Sequence, residues 1–154
     1  MIVSDARPVD VSAVSVRRVR QEDAEAIAEL NGQLGYPSTA EEVCERLAVI
    51  GKTSSQAVFV ACSGDEVIGW IDVAITLHLQ SPPFALIGGL VVKDRYRGLR
   101  IGRRLCEAAE TWAREQRVGV VRVTSRSTRA DAHRFYLRDG YSEVKTSQVF
   151  EKAL

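Results

Sequence analysis

Apolar and polar positions divide the chain into short segments of changing period. Val14, Val16 and Val19 nearly alternate across residues 14–20, which predicts a first strand with one irregular step. The period then turns helical. Ala24, Ile27, Leu30 and Leu34 share one face of residues 21–34, and Gly35 followed by Pro37 ends that helix because proline cannot continue it. A second helix starts at Ser38 or Thr39, where a hydroxyl stands at capping-box spacing before Glu41 or Glu42. Val43, Leu47 and Ile50 form its buried face, and Gly51 stops it.

Residues 56–63 and 66–77 are β-branched and apolar and are separated by Gly64-Asp65, so an antiparallel hairpin is predicted. Pro82-Pro83 reads as a break in the chain. Residues 85–92 are then apolar at both parities, the pattern of a strand buried on two faces. Ile101, Leu105, Ala108, Ala109 and Trp112 mark a helix within residues 99–117, and residues 118–124 are strand-like. Ala132, Phe135 and Tyr136 suggest a short helix closed by Gly140, and residues 141–151 one or two last strands. The order β, α, α, β, β, β, α, β, α, β joins a hairpin to a β-α-β crossover. The predicted class is α/β, a mixed parallel and antiparallel sheet flanked by helices on both faces. One domain over residues 1–154 is expected, with a loose segment at 1–12.

Composition narrows the function classes. The chain has 154 residues with 21 Lys and Arg against 20 Asp and Glu, a formal net charge of +1. Binding of nucleic acid or membrane by net charge is therefore not expected. The longest apolar run, residues 84–92, falls far short of the roughly 20 residues of a membrane-spanning helix. The N-terminus lacks a basic stretch leading into an apolar one, so a cytoplasmic location is expected. Cys44, Cys62 and Cys106 form no C-x-x-C pair, and His78 and His133 do not complete a metal-ligand spacing. Reduced, buried thiols and no metal are expected.

Candidate chemistry concentrates at residues 90–105. Leu90, Val91 and Val92 run through a basic loop with Gly98 and Gly102 into a helix whose first-turn amides lack intrahelical acceptors and carry the positive end of the dipole. Residues 93–104 hold Lys93, Arg95, Arg97, Arg100, Arg103 and Arg104 against Asp94 alone, an arrangement that suits a pyrophosphate. No G-x-G-x-x-G follows the first strand, and Gly51-Lys52-Thr53 fails as a P-loop because Arg46 stands where its first glycine belongs.

The segment Arg97-Gly98-Leu99-Arg100-Ile101-Gly102 resembles the acyl-CoA-binding motif Q/R-x-x-G-x-G/A of the GNAT N-acetyltransferase superfamily. Ala132-His133-Arg134-Phe135-Tyr136-Leu137-Arg138-Asp139-Gly140-Tyr141 is similar to the later helix-turn-strand motif of the same superfamily. The two motifs stand in the family's order, about 35 residues apart. The resemblance implies an acetyl-CoA-dependent N-acetyltransferase of GNAT fold acting on a primary amine of a small molecule or peptide. It implies that backbone groups of Leu90, Val91 and Val92 pair with the pantetheine arm. Arg97, Gly98, Leu99, Arg100, Ile101, Gly102 and Arg103 would wrap the pyrophosphate, and a backbone amide near Val91 would hold the oxyanion. Tyr136 would be the general acid toward the departing CoA thiolate; by pattern alone it is an aromatic on the buried face of a short helix. A homodimer is common in the superfamily.

Two positions depart from the family pattern. Arg100 replaces the usual middle glycine, and a helical φ there is expected to accept it. Gly88 stands where many members carry a Glu on the central strand. The base is thus open among Asp72, His78, Glu143, a water chain and an amine already partly neutral. Residues 21–47 hold seven Asp or Glu and one Arg, which favours a cationic acceptor if the first helices line its site and otherwise describes ordinary solvated helix faces. Tyr36 in the loop between those helices is a candidate pocket residue. A non-catalytic acyl-CoA-binding or sensing module, suggested by Gly88, is the main alternative. An arginine-based nucleic-acid domain is the third reading, opposed by the acidic first helices.

Overall fold

The computed structural model describes residues 8–154. Most of the expected loose N-terminal segment lies outside the described residues. Within them the chain is ordered earlier than expected, because the Asp10 carboxylate accepts from the Ser12 amide at 3.0 Å and caps a single turn at Val11–Ala13. The described residues form two compact units, which divide between Val123 and Thr124.

The first unit is built on five strands: β1 (Val14–Arg18), β2 (Gln56–Ser63), β3 (Glu66–His78), β4 (Ser81–Val92) and β5 (Val121–Val123). They lie in sequence order, antiparallel except for the parallel β4–β5 pair, which α3 (Ile101–Glu115) connects. Helices α1 (Ala24–Leu34) and α2 (Ala40–Ile50) follow β1. Thr39 and Glu42 form the predicted capping box on α2, at 2.9 and 3.1 Å. Gly35, at φ +92°, closes α1 in the left-handed conformation that glycine adopts without steric cost.

Helices cover both faces of the sheet. Ala24, Ile27, Leu30, Val43 and Leu47 pack on Val60, Cys62, Val67 and Val91, with Trp70 against them. On the other face, α3 approaches closely enough that a Cβ on Gly69 would lie 3.3 Å from Leu105 Cδ1. Ile101, Leu105, Cys106, Ala109, Trp112 and Ala113 are its buried residues. Cys44, Cys62 and Cys106 are free thiols. Among the described residues no helix is long and apolar enough to cross a membrane.

Two expectations are corrected. Pro82 and Pro83 do not break the chain but lie inside β4, where the ladder to β3 shifts register between Thr76 and His78 and before β5 begins to pair at Ala85. Proline lacks a donor, and at an irregular stretch paired on one side only few donors are required. No strand forms at residues 141–151. Neither parity of that segment carries a continuous apolar row, and Val144, Val149 and Phe150 are exposed. The second unit instead consists of α4 (Ala130–Arg138) with irregular chain on either side.

Candidate active site

The central strand leaves its neighbour at the point where the candidate chemistry begins. β4 pairs with β5 only at Ala85, Leu86 and Ile87. Opposite, Asp72 pairs with Gly89 and Val73 with Ile87, so Gly88 is an extra residue, a bulge that bends β4. Residues 88–92 therefore present one strand edge with no ladder partner among the described residues. Backbone donors and acceptors on such an edge take an extended ligand as an added strand. Leu90, Val91 and Val92 lie on this stretch.

The loop after β4 is held by side chains that the sequence reading missed. Gln33 of α1 donates to the Val92 carbonyl at 2.7 Å and accepts from the Asp94 amide at 3.1 Å. Lys93 pairs with Glu66 at 2.9 Å, and the buried Tyr96 donates to the same carboxylate at 3.2 Å. The Lys93 hydrogen bond foremost holds the Glu66 carboxyl below its ordinary value. Lys93 and Tyr96 are thus anchors of the loop.

Gly98 has φ +78° and Arg100 has φ +61°, ψ 19°, so the chain makes two left-handed steps before α3. This corrects the expected helical φ at Arg100, which instead occupies a conformation that costs a non-glycine residue roughly 1–2 kcal/mol. Glycine at Arg100 is therefore expected to stabilise the fold by about 1 kcal/mol, a rise in Tm of about 2–4 °C, checked by thermal unfolding. No side chain caps α3 and its first turn holds no acid, which leaves the Ile101 and Gly102 amides open to an anion. The cations of the loop are not equivalent. Arg97 meets Asp94 at 3.3 Å, Arg103 meets Glu107 at 3.1 Å, Arg104 donates to the Val14 carbonyl at 2.7 Å, and Arg95 lies over the Tyr96 ring. Arg100 is exposed, and its guanidinium has no hydrogen-bond or ion-pair partner among the described residues.

The three candidate bases are far from equivalent. His78 stands at the end of β3, with Gln80 at 3.3 Å and against the Phe84 ring. Glu143 is an exposed residue of the second unit. Asp72 is directed at the β4 bulge, where a Cβ on Gly88 would fall 2.8 Å from its Oδ1. Burial pushes its carboxyl up from the ordinary value, opposed by the nearby amides of Gly89 and Gly88.

Several acidic residues of the first helices serve the fold. Asp23, 5% exposed, takes both guanidinium nitrogens of Arg17 at 2.8 and 2.9 Å and the Arg20 amide at 2.7 Å. Burial alone would raise its carboxyl, but Arg17 and the Arg20 amide hold it low. Glu42 caps α2, and Glu29 lies 4.0 Å from Lys93. Tyr36 is exposed on the loop between the helices.

In the second unit, Tyr136 is half-buried on α4, with the Phe135 and Tyr141 rings at 5.1 and 5.6 Å in edge-on arrangements. The Tyr141 amide donates to the Tyr136 carbonyl at 3.0 Å and Gly140 takes φ +91°, so the predicted glycine closes the helix. His133 Nε2 lies 2.9 Å from the Arg126 carbonyl and ties α4 to the preceding loop.

Comparisons with known proteins agree with this construction. Residues 20–141 match the acetyltransferase (GNAT) family model. An aminoalkylphosphonate N-acetyltransferase of Salmonella typhimurium is 36% identical over 85 residues, 54% of this chain and 55% of that protein. The chain thus matches about half the length of that curated relative. A transcriptional regulator from Bacillus halodurans superposes with TM-score 0.81 at 24% identity, over 90% of this chain and 99% of its own. AAC(6')-Iy in complex with the bisubstrate analogue CoA-S-monomethyl-acetylneamine gives TM-score 0.81 at 16% identity, over 92% and 99%. These two share the fold. With the family match running from before α1 through the α3 loop to the turn after α4, the chain belongs to the GNAT family of acetyltransferases.

Proposed function

We propose that the protein is an acetyl-CoA-dependent N-acetyltransferase that passes the acetyl group to a primary amine by direct attack on the thioester. The open β4 edge running into the uncapped N-terminus of α3 carries this reading. Backbone groups of Leu90, Val91 and Val92 would take the pantetheine arm as an added strand. The Ile101 and Gly102 amides, with the Arg100 guanidinium, suit the two charges of a pyrophosphate. Gly98 and Arg100, both left-handed, turn the chain immediately before that position. An amide near Val91 would hold the oxyanion, and Tyr136 would deliver a proton to the departing thiolate. The Salmonella relative acts on aminoalkylphosphonates and AAC(6')-Iy was captured with an acetylneamine conjugate of CoA, which supports a small-molecule amine as acceptor. Glu25, Glu41 and Glu45 have no side-chain partner among the described residues and favour a cationic one.

Calorimetry of acetyl-CoA binding tests this reading. The wild type is expected to bind saturably, and Gly102→Glu to bind about 10–100-fold more weakly, because its carboxylate meets the phosphates where they would dock. An acid in the first turn also favours the helix, so the loss would not reflect unfolding. CoA release is then followed with a panel of cationic, neutral and anionic amines. Equal binding by both proteins, or none by either, overturns the cofactor site; better turnover of neutral or anionic amines overturns the cationic acceptor.

A further inference from the structure

We propose that Asp72, reaching from β3 across the paired glycines of β4, accepts the proton of the attacking amine. This rests on the acetyl-transfer reading above and supplies the base that Gly88 leaves missing. A Cβ on Gly88 would fall 2.8 Å from Asp72 Oδ1 and 3.3 Å from Oδ2, and a Cβ on Gly89 would fall 2.6 Å from the Trp70 ring. Side chains at both positions are excluded. The carboxylate therefore fills the volume that a residue-88 side chain would have used, delivered from the next strand. Its location follows from the register: Asp72 pairs with Gly89, Gly88 is the bulge, and β4 loses β5 immediately after Ile87.

The chemistry of the spot points to a ligand. Asp72 Oδ1 and Trp70 Nε1 are both shielded from solvent and have no hydrogen-bond partner among the described residues. They are two residues apart on one strand and so share a face of the sheet. An unmatched acceptor beside an unmatched donor costs stability, and such a pair is retained where a substrate supplies the partners. Burial foremost raises the Asp72 carboxyl, and only backbone amides, those of Gly89, Gly88 and Asp72 itself, oppose it. A carboxylate without a resident cation is open to an incoming ammonium.

The steps balance. Asp72 takes one proton from the ammonium, which becomes a neutral amine. Its lone pair forms the C–N bond as the C–S bond breaks, and the thiolate receives a proton from Tyr136. The acylated nitrogen gives its surplus proton to water, the phenolate recovers one from water, and Asp72 releases its own to water. Burial favours the first transfer by making the carboxylate more basic and the ammonium more acidic.

The test is Asp72→Asn with acetyl-CoA and the best amine of the panel. We expect kcat/KM to fall about 10²–10⁴-fold, with acetyl-CoA affinity within twofold and the acid limb of the pH–rate profile lost. The folded pKa of Asp72 is raised, so its stabilising effect is complete below the unfolded pKa and disappears as pH rises through the folded one. Asp72→Asn should accordingly raise Tm at pH 7 relative to wild type, whereas removal of a structural carboxylate would lower it. Gly88→Ala is the second variant, since its Cβ displaces the carboxylate without deleting it and should also lower kcat/KM. Turnover of Asp72→Asn within threefold of wild type overturns the proposal alone. A wild type that binds acetyl-CoA but acetylates no amine overturns it together with the proposed activity.

Discussion

Tyr136→Phe is expected to lower kcat for acetyl transfer by about 10²–10⁴-fold while leaving acetyl-CoA affinity within twofold. The substitution removes the hydroxyl and keeps the ring. The ring packs edge-on against Phe135 at 5.1 Å and Tyr141 at 5.6 Å, and phenylalanine preserves both contacts. The turn that follows is held by backbone, from the Tyr141 amide to the Tyr136 carbonyl, and does not depend on the side chain. The loss should therefore appear in the chemical step, read as kcat with both proteins held well below their unfolding temperatures. A proton donor to a departing thiolate matters less as the thiol becomes more acidic. Thioester donors with more acidic leaving thiols are expected to narrow the gap between variant and wild type. A variant with more than a third of wild-type kcat, or a gap insensitive to the leaving group, would remove Tyr136 from the role of acid.

The limits of the sequence reading follow from how far each interaction reaches. Thr39 with Glu42, Gly35 at the end of α1, and Gly64-Asp65 between β2 and β3 act over a few residues, and all were readable as patterns. Gln33 clamps a carbonyl 59 positions away, and no local signal marks a glutamine for that task. Pro82 and Pro83 misled because the missing donor is visible in sequence but the irregular, one-sided pairing that tolerates it is not. Tyr141, Val144 and Val149 looked β-like one by one, yet a strand needs a continuous apolar face and a partner. In the candidate site the cations were legible as charges, but their partners, Glu66 for Lys93 and Val14 for Arg104, come from remote strands. Arg100 was legible as a departure from a glycine pattern; its left-handed φ required the backbone. Gly88 likewise showed only a missing carboxylate, and the register of β3 against β4 was needed to bring Asp72 to it.

Leu105→Ala is expected to destabilise the first unit by about 2–5 kcal/mol, and Gly69→Ala by about 1–3 kcal/mol, because one is buried without exposed area and the other stands where backbones nearly touch. A Cβ on Gly69 would meet Leu105 Cδ1 at 3.3 Å but the Val91 carbonyl oxygen at 2.8 Å. The first neighbour is the end of a side chain that can turn; the second is backbone of the central strand. Removing Leu105 therefore relieves only the lesser contact, and the double variant should be no more stable than Leu105→Ala alone. The functional consequence differs between the two. Leu105→Ala leaves a cavity under α3, whereas Gly69→Ala pushes on Val91, whose neighbourhood is proposed to hold the oxyanion. Urea unfolding gives the stabilities, and kcat measured well below each Tm gives the activities. Gly69→Ala should lose kcat beyond what its folded fraction explains, while Leu105→Ala should lose little once folded. If Gly69→Ala matched wild type in both, the close approach of α3 and β4 at this glycine would not set the geometry of the β4 edge.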